Sequence, residues 1–264
     1  MQEKLWIENK NYHIPGVFVY PDKQNNFPCM ILCHGTGSHK DEAGNLFAEL
    51  ADKLAENGIA SLRFDFAGCG DSKAKQQELT FYGEVCDTKM VYEFLGNHPK
   101  VDKNKIGILG FSQGSRVMAE SFKEIQGYKC AVSWSGACHN GFGIFENLFG
   151  NYYNEAMEIG FARIPMDWRD DLLISKEWFE EIIESKPMEG FDCYKGPVLC
   201  VAGREDTVVE YHHSVDIYER CSNDNSKLLI YDNADHIYKA FDEDSKIKNQ
   251  VIKDTVEWIV KNIV

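Results

Sequence analysis

No apolar run in this 264-residue chain approaches the roughly 18 residues that a membrane-spanning helix needs. The opening Met1-Gln2-Glu3-Lys4-Leu5-Trp6 lacks a basic segment followed by an apolar one, so no secretory signal is read there. Cationic side chains are scarce: 28 Lys and Arg stand against 42 Asp and Glu, a formal charge of −14. That balance argues against a nucleic-acid partner, because phosphate backbones call for a local excess of Lys and Arg. It argues equally against an anionic membrane surface. His-Glu-x-x-His does not occur, and Cys29-x-x-x-Cys33 has no second pair to complete a zinc site. Gly68-Cys69-Gly70 lacks the third glycine of a dinucleotide loop, and there is no Walker A sequence. No metal and no cofactor are expected. Internal repeats, low-complexity tracts and linker-like segments are missing too. The nine cysteines, an odd number scattered from Cys29 to Cys221, read as reduced thiols of a cytoplasmic protein rather than a disulfide framework.

What is present is ordinary for a folded, enzyme-sized domain: 44% hydrophobic and 27% charged residues. After β-like stretches at 5–8 and 13–20, apolar runs at 27–33, 59–66, 105–110, 129–135, 197–202 and 227–231 read as buried strands. Helical patterns separate them. Leu46, Leu50 and Leu54 share one helix face before Asn57-Gly58, and Val251, Ile252, Thr255, Val256, Ile259 and Ile263 share another at the end. Continuous apolar strands alternating with helices predict a mostly parallel sheet covered on both faces. The rhythm breaks once, between Ser135 and Pro197, over a stretch too long for an ordinary loop. The expectation is a single α/β domain over 1–264 carrying an inserted lid at 139–192.

The strongest chemical signal is Gly110-Phe111-Ser112-Gln113-Gly114, set between a strand and a helix. A sharp strand-to-helix turn strains the serine backbone, leaves no room for bulk two residues to either side, and lifts the hydroxyl above the sheet. A serine hydroxyl is a weak nucleophile without a base, and the base needs an orienting carboxylate. In this topology the acid and then the histidine follow at the ends of later strands. His236 is the only histidine after the last strand, which makes it the candidate base. Glu205 and Asp206 both follow the 197–202 strand and compete as the acid. The other histidines fall in turns or on a surface helix; His34 reads as a brace for the loop after the 27–33 strand.

These residues resemble the α/β-hydrolase superfamily over nearly the whole chain. The resemblance rests on His34-Gly35, Asp65-x-x-Gly68-x-Gly70-x-Ser72, the Gly110–Gly114 elbow, Gly203-x-x-Asp206 and Asp235-His236. Ser112-Gln113-Gly114, Asp206-x-Val208-Val209 and the insertion are similar to bacterial cinnamoyl/feruloyl esterases and related small carboxylesterases. The resemblance implies an α/β-hydrolase fold with Ser112 as nucleophile, His236 as base and Asp206 as its orienter. It also implies an oxyanion hole made by the backbone N–H groups of Thr36 and Gln113. The chain departs from the group at Thr36, where an aromatic residue is frequent, and at Glu210, where proline often follows the two valines.

Nine aromatic residues fall within 142–179. Most are expected to pack the lid, and Phe145, Phe149 and Trp168 are candidates for the wall of an apolar acyl pocket. Residues 151–192 hold eleven Asp and Glu against four Lys and Arg. Glu180, Glu181 and Glu184 read as a solvated helix face rather than as a grip on a substrate amine, since adjacent helical residues point about 100° apart. The expected activity is a serine carboxylesterase on small esters, with hydroxycinnamates as a candidate acyl group. An acylaminoacyl- or aminopeptidase-type hydrolase and a non-catalytic binding module are the alternatives. The expected partner is a small-molecule ester, with the protein a monomer or homodimer.

Overall fold

The computed structural model describes residues 1–22, 25–166, 169–244 and 246–263. The chain opens with an antiparallel pair, β1 (Gln2–Glu8) and β2 (His13–Val19). It continues through β3 (Phe27–Cys33), α1 (Leu46–Glu56), β4 (Ala60–Phe64), α2 (Phe81–Gly96), β5 (Val101–Phe111), α3 (Gln113–Ser121) and β6 (Ala131–Trp134). Following the insertion come β9 (Val198–Gly203), α8 (His212–Arg220), β10 (Lys227–Tyr231) and α9 (Lys246–Asn262). The eight strands form one sheet in the order β1-β2-β4-β3-β5-β6-β9-β10, parallel from β4 to β10. The alternation of apolar strands and helices therefore produces the expected α/β-hydrolase architecture.

Side chains alternate across the sheet as strand geometry requires. Cys29, Ile31 and Cys33 of β3 enter the core beneath α2 and α3, whereas Met30 and Leu32 enter the opposite core beneath α1 and α9. The C-terminal apolar face read from sequence is the one α9 buries, from Val251 to Ile259. Strand β5 starts earlier than its apolar run, because Val101 pairs with Phe27 before the register shifts to Cys29–Ile106. Among the described residues, no helix is long and apolar enough to cross a membrane.

Between β6 and β9 lie α4 (Ile144–Phe149), α5 (Tyr153–Ile159), the antiparallel hairpin β7 (Phe161–Ile164)–β8 (Leu172–Ser175), α6 (Lys176–Glu184) and α7 (Pro187–Cys193). Trp178 is the hub of this segment's interior. Its ring meets Phe145 at 5.4 Å, Phe149 at 6.0 Å and Phe179 at 5.4 Å in edge-on contacts, the arrangement that aromatic quadrupoles favour. The buried guanidinium of Arg116, on α3, ties the segment down. It donates to Ser185 Oγ at 2.8 Å, Ala137 O at 3.3 Å and Ile182 O at 3.2 Å, and also to Gly141 O. Helix α7 then lies directly on α3, where a Cβ at Gly190 would stand 1.9 Å from Ala119 O.

Candidate active site

Ser112 sits in the turn between β5 and α3 at φ 53°, ψ −117°, a conformation that costs a non-glycine residue of order 1–3 kcal/mol. The flanking glycines are steric necessities. A Cβ at Gly110 would lie 2.4 Å from Gly114 C, and one at Gly114 would lie 2.1 Å from Cys33 O. Neighbouring backbone holds the strained residue: Ser112 N donates to Trp134 O at 2.8 Å, and Ser112 O accepts from Ser115 N and Ala137 N, both at 3.1 Å. The turn starts helix α3 at Gln113, whose N–H has no preceding helical carbonyl to pair with.

His236 and Asp206, the pair that the family resemblance implies, are in contact. The contact between His236 Nδ1 and Asp206 Oδ2 is 2.8 Å. The other carboxylate oxygen of Asp206 accepts from Val208 N and Val209 N, both at 2.8 Å. An ionised acceptor at Nδ1 favours the tautomer with its proton there and leaves Nε2 free to accept one. Gly203 lets the two loops approach, since a Cβ there would stand 2.3 Å from Ala234 O. Glu205, the competing carboxylate, is exposed and faces Lys239 at 3.9 Å. Ring contact brings the histidine to the serine's turn: Phe111, next to Ser112, lies 5.1 Å from the His236 imidazole.

The loop after β3 closes the third side. His34 braces it, as read from sequence: Nε2 accepts from Phe66 N at 3.2 Å, and Nδ1 lies 2.8 Å from Gly35 O. Burial pushes the His34 pKa down, which suits a neutral ring. Gly35 N donates to Glu42 at 2.5 Å, and a Cβ on Gly35 would stand 3.4 Å from the Cβ of Ser112. Thr36 Oγ1 donates to Gln113 Oε1 at 2.5 Å, joining this loop to the first residue of α3.

The candidate wall residues have mixed placements. Phe145 and Phe149 are buried in the insertion around Trp178, and Trp168 lies outside the described residues. Glu181 accepts from Tyr82 N at 2.7 Å at the start of α2, while Glu180 faces Lys176 at 3.4 Å.

Sequence reasoning missed several neighbours. Glu84, on α2, is buried and accepts from Gln113 Nε2. A signal existed, because Glu84 interrupts the apolar stripe of Phe81, Val85, Thr88, Val91 and Leu95. Arg169 donates to Gly37 O beside Thr36. His213 does not lie on a solvated surface: it is buried and stacks on His139 at 3.7 Å.

A strained serine at a strand-to-helix turn, carried by an eight-stranded, mostly parallel sheet, is the architecture of the α/β-hydrolase fold. The prolyl oligopeptidase family model matches residues 65–264, and the chain belongs to that family. Among solved structures it is similar to Est1E from Butyrivibrio proteoclasticus with ferulic acid bound, at 21% identity and a TM-score of 0.79, covering 98% of this chain and 99% of that one. It is similar to the esterase Pf2001 of Pyrococcus furiosus, at 21% identity and a TM-score of 0.70 over 100% and 93% of the two chains. The esterase domain of a Rhodothermus marinus protein follows at 16% identity and a TM-score of 0.72, with 100% of both chains covered. A curated relative, described as an uncharacterized 31.7 kDa protein in the traX-finO intergenic region of Escherichia coli, is 28% identical over 116 residues. That match spans 44% of this chain and 40% of the relative.

Proposed function

We propose that the protein is a cytoplasmic serine carboxylesterase that hydrolyses small esters through an acyl-enzyme. The observation that carries this reading is the 2.8 Å contact of His236 with Asp206, made beside a serine held at φ 53° in the elbow. Ser112 Oγ attacks the ester carbonyl carbon while His236 Nε2 takes its proton. The carbonyl oxygen becomes an oxyanion received by the N–H groups of Thr36 and Gln113, each such donor being worth about 3 kcal/mol of barrier. Collapse of the tetrahedral intermediate breaks the bond to the leaving alcohol, which departs with the proton from His236. Water, deprotonated by the same imidazole, then releases the acid from Ser112. Asp206 stays ionised and orients the ring.

A hydroxycinnamate acyl group is the proposed preference, supported by the likeness to an esterase solved with ferulic acid. In this reading residues 139–192 form the lid. Phe145, Phe149 and Trp168 are its proposed acyl-pocket residues. Membership of the prolyl oligopeptidase family favours a second reading, an aminopeptidase-type hydrolase using the same three residues. Its amine site would need free carboxylates in the lid, yet Glu181 is engaged by Tyr82 N and Glu180 faces Lys176. The ester reading therefore leads.

Burst kinetics with p-nitrophenyl acetate, butyrate and octanoate, beside methyl ferulate and an aminoacyl p-nitroanilide, test the proposal. Ester turnover lost in Ser112→Ala, with ferulate cleaved faster than butyrate, is the expected outcome. Preferred cleavage of the anilide would move the assignment to the peptidase.

A further inference from the structure

Thr36 and Gln113, whose backbone N–H groups are the proposed oxyanion donors, are joined a second time through their side chains. Thr36 Oγ1 donates to Gln113 Oε1 at 2.5 Å, and Gln113 Nε2 donates in turn to Glu84 Oε2. The three residues come from three separate elements: the loop after β3, the first turn of α3, and the buried face of α2. Gln113 and Glu84 are 1% and 2% exposed, so neither finds water in place of its neighbour.

We propose that Thr36 and Glu84 are positioning residues for the oxyanion hole, forming with the Gln113 side chain a hydrogen-bonded strut that sets the spacing of the two backbone donors. The inference rests on the serine-hydrolase reading above and deepens it.

Three observations favour a strut over incidental packing. First, the loop's other ties run to Phe66, Glu42 and Arg169, whereas the Thr36 hydroxyl bonds to the first residue of the helix that carries the other donor. Second, a buried carboxyl is an expensive way to fill space. Burial raises the Glu84 pKa well above the ordinary carboxylate range, with Asp87 and Glu181 adding to it and the bond from Gln113 opposing it. A neutral carboxyl still accepts through its carbonyl oxygen, as an amide would. Third, the strut explains the departure at Thr36. An aromatic residue carries no hydroxyl at the γ position from which Thr36 reaches Gln113, so here the position trades a pocket-wall ring for a tie between the two donors.

The test compares Thr36→Val and Glu84→Leu, which break the strut, with Thr36→Ser and Glu84→Gln, which keep a donor and an acceptor at the same places. Steady-state hydrolysis of p-nitrophenyl butyrate and inhibition by a phenylboronic acid, a tetrahedral mimic, are measured on each. Removing an oxyanion donor outright costs on the order of 10²-fold in kcat, so misplacing one is expected to cost about tenfold. Thr36→Val and Glu84→Leu should therefore lower kcat about tenfold and weaken the boronate in proportion, leaving KM within about twofold. Thr36→Ser and Glu84→Gln should stay near wild type. Wild-type kcat in Thr36→Val, at a site open enough to accept the change without unfolding, would overturn the strut. Equal losses in all four variants would do the same, because hydrogen bonding would then not be the cause. Turnover that survives Ser112→Ala would instead overturn the serine-hydrolase reading, and the strut with it.

Discussion

The Ser112 turn is held by sterics that no other residue type satisfies. With 2.1 Å between a Cβ at Gly114 and Cys33 O, Gly114→Ala has to separate α3 from β3. It is expected to lower stability by about 2–3 kcal/mol, in the range of overpacking, read as a lower urea midpoint. His213 makes a different prediction. Burial pushes its pKa down to about 4, the stacked His139 adds to this and Arg116 lowers it slightly, while Asp216 and Asp206 oppose. An unfolded histidine titrates near 6.5, so between pH 6.5 and 4 the unfolded chain binds a proton that the native state refuses. Stability is full above pH 6.5 and falls as the pH drops through that window. Because His213 Nδ1 has no hydrogen-bond partner among the described residues, His213→Phe should keep the stack and remove the dependence. Urea midpoints at pH 7 and 4.5 should then differ less in the variant than in wild type; equal differences would refute the assignment. Ser112 and His236 stand out in the sequence because topology constrains their order along an α/β chain, whereas the choice of Asp206 over Glu205 draws on the family resemblance as well. Glu84 and Arg169 receive no role from the sequence and His213 reads there as a surface-helix residue, because their contacts join segments 29, 132 and 74 residues apart.

Elements were legible where their periodicity was clean. The 27–33 and 227–231 strands and the Leu46–Leu54 helix face correspond closely to β3, β10 and α1. The insertion was legible only as a break, since α4, α5, β7 and β8 are each seven residues or fewer and too short to display a period. What holds it is Arg116, whose pKa burial pushes down to about 10 and whose partners are carbonyls and Ser185. Arg116→Met would leave several of these acceptors buried and unpaired, at about 1–3 kcal/mol apiece before relaxation. The expected outcome is faster limited proteolysis within residues 139–186, with the sheet domain still folded by circular dichroism. Unchanged cleavage would show that the aromatic interior around Trp178 suffices.

Taken together, the parallel sheet brings the ends of β3, β5, β9 and β10 to one edge, where the loops carrying Thr36 and His236 both begin. The chain's net charge of −14 should slow the approach of anionic substrates. For an ester bearing a free carboxylate, kcat/KM is expected to rise as salt increases from 0.01 to 0.15 M, over which the screening length shortens from about 30 to about 8 Å. A neutral ester should show no such rise. That salt effect presupposes a nucleophilic serine. Its most direct test is to label the native protein with a fluorophosphonate and locate the adduct by peptide mass spectrometry. One adduct per chain, on Ser112, lost in Ser112→Ala and strongly slowed in His236→Ala, is the predicted result. A protein that stays unlabelled while folded, or an adduct on any other residue, would refute the assignment of Ser112 as nucleophile.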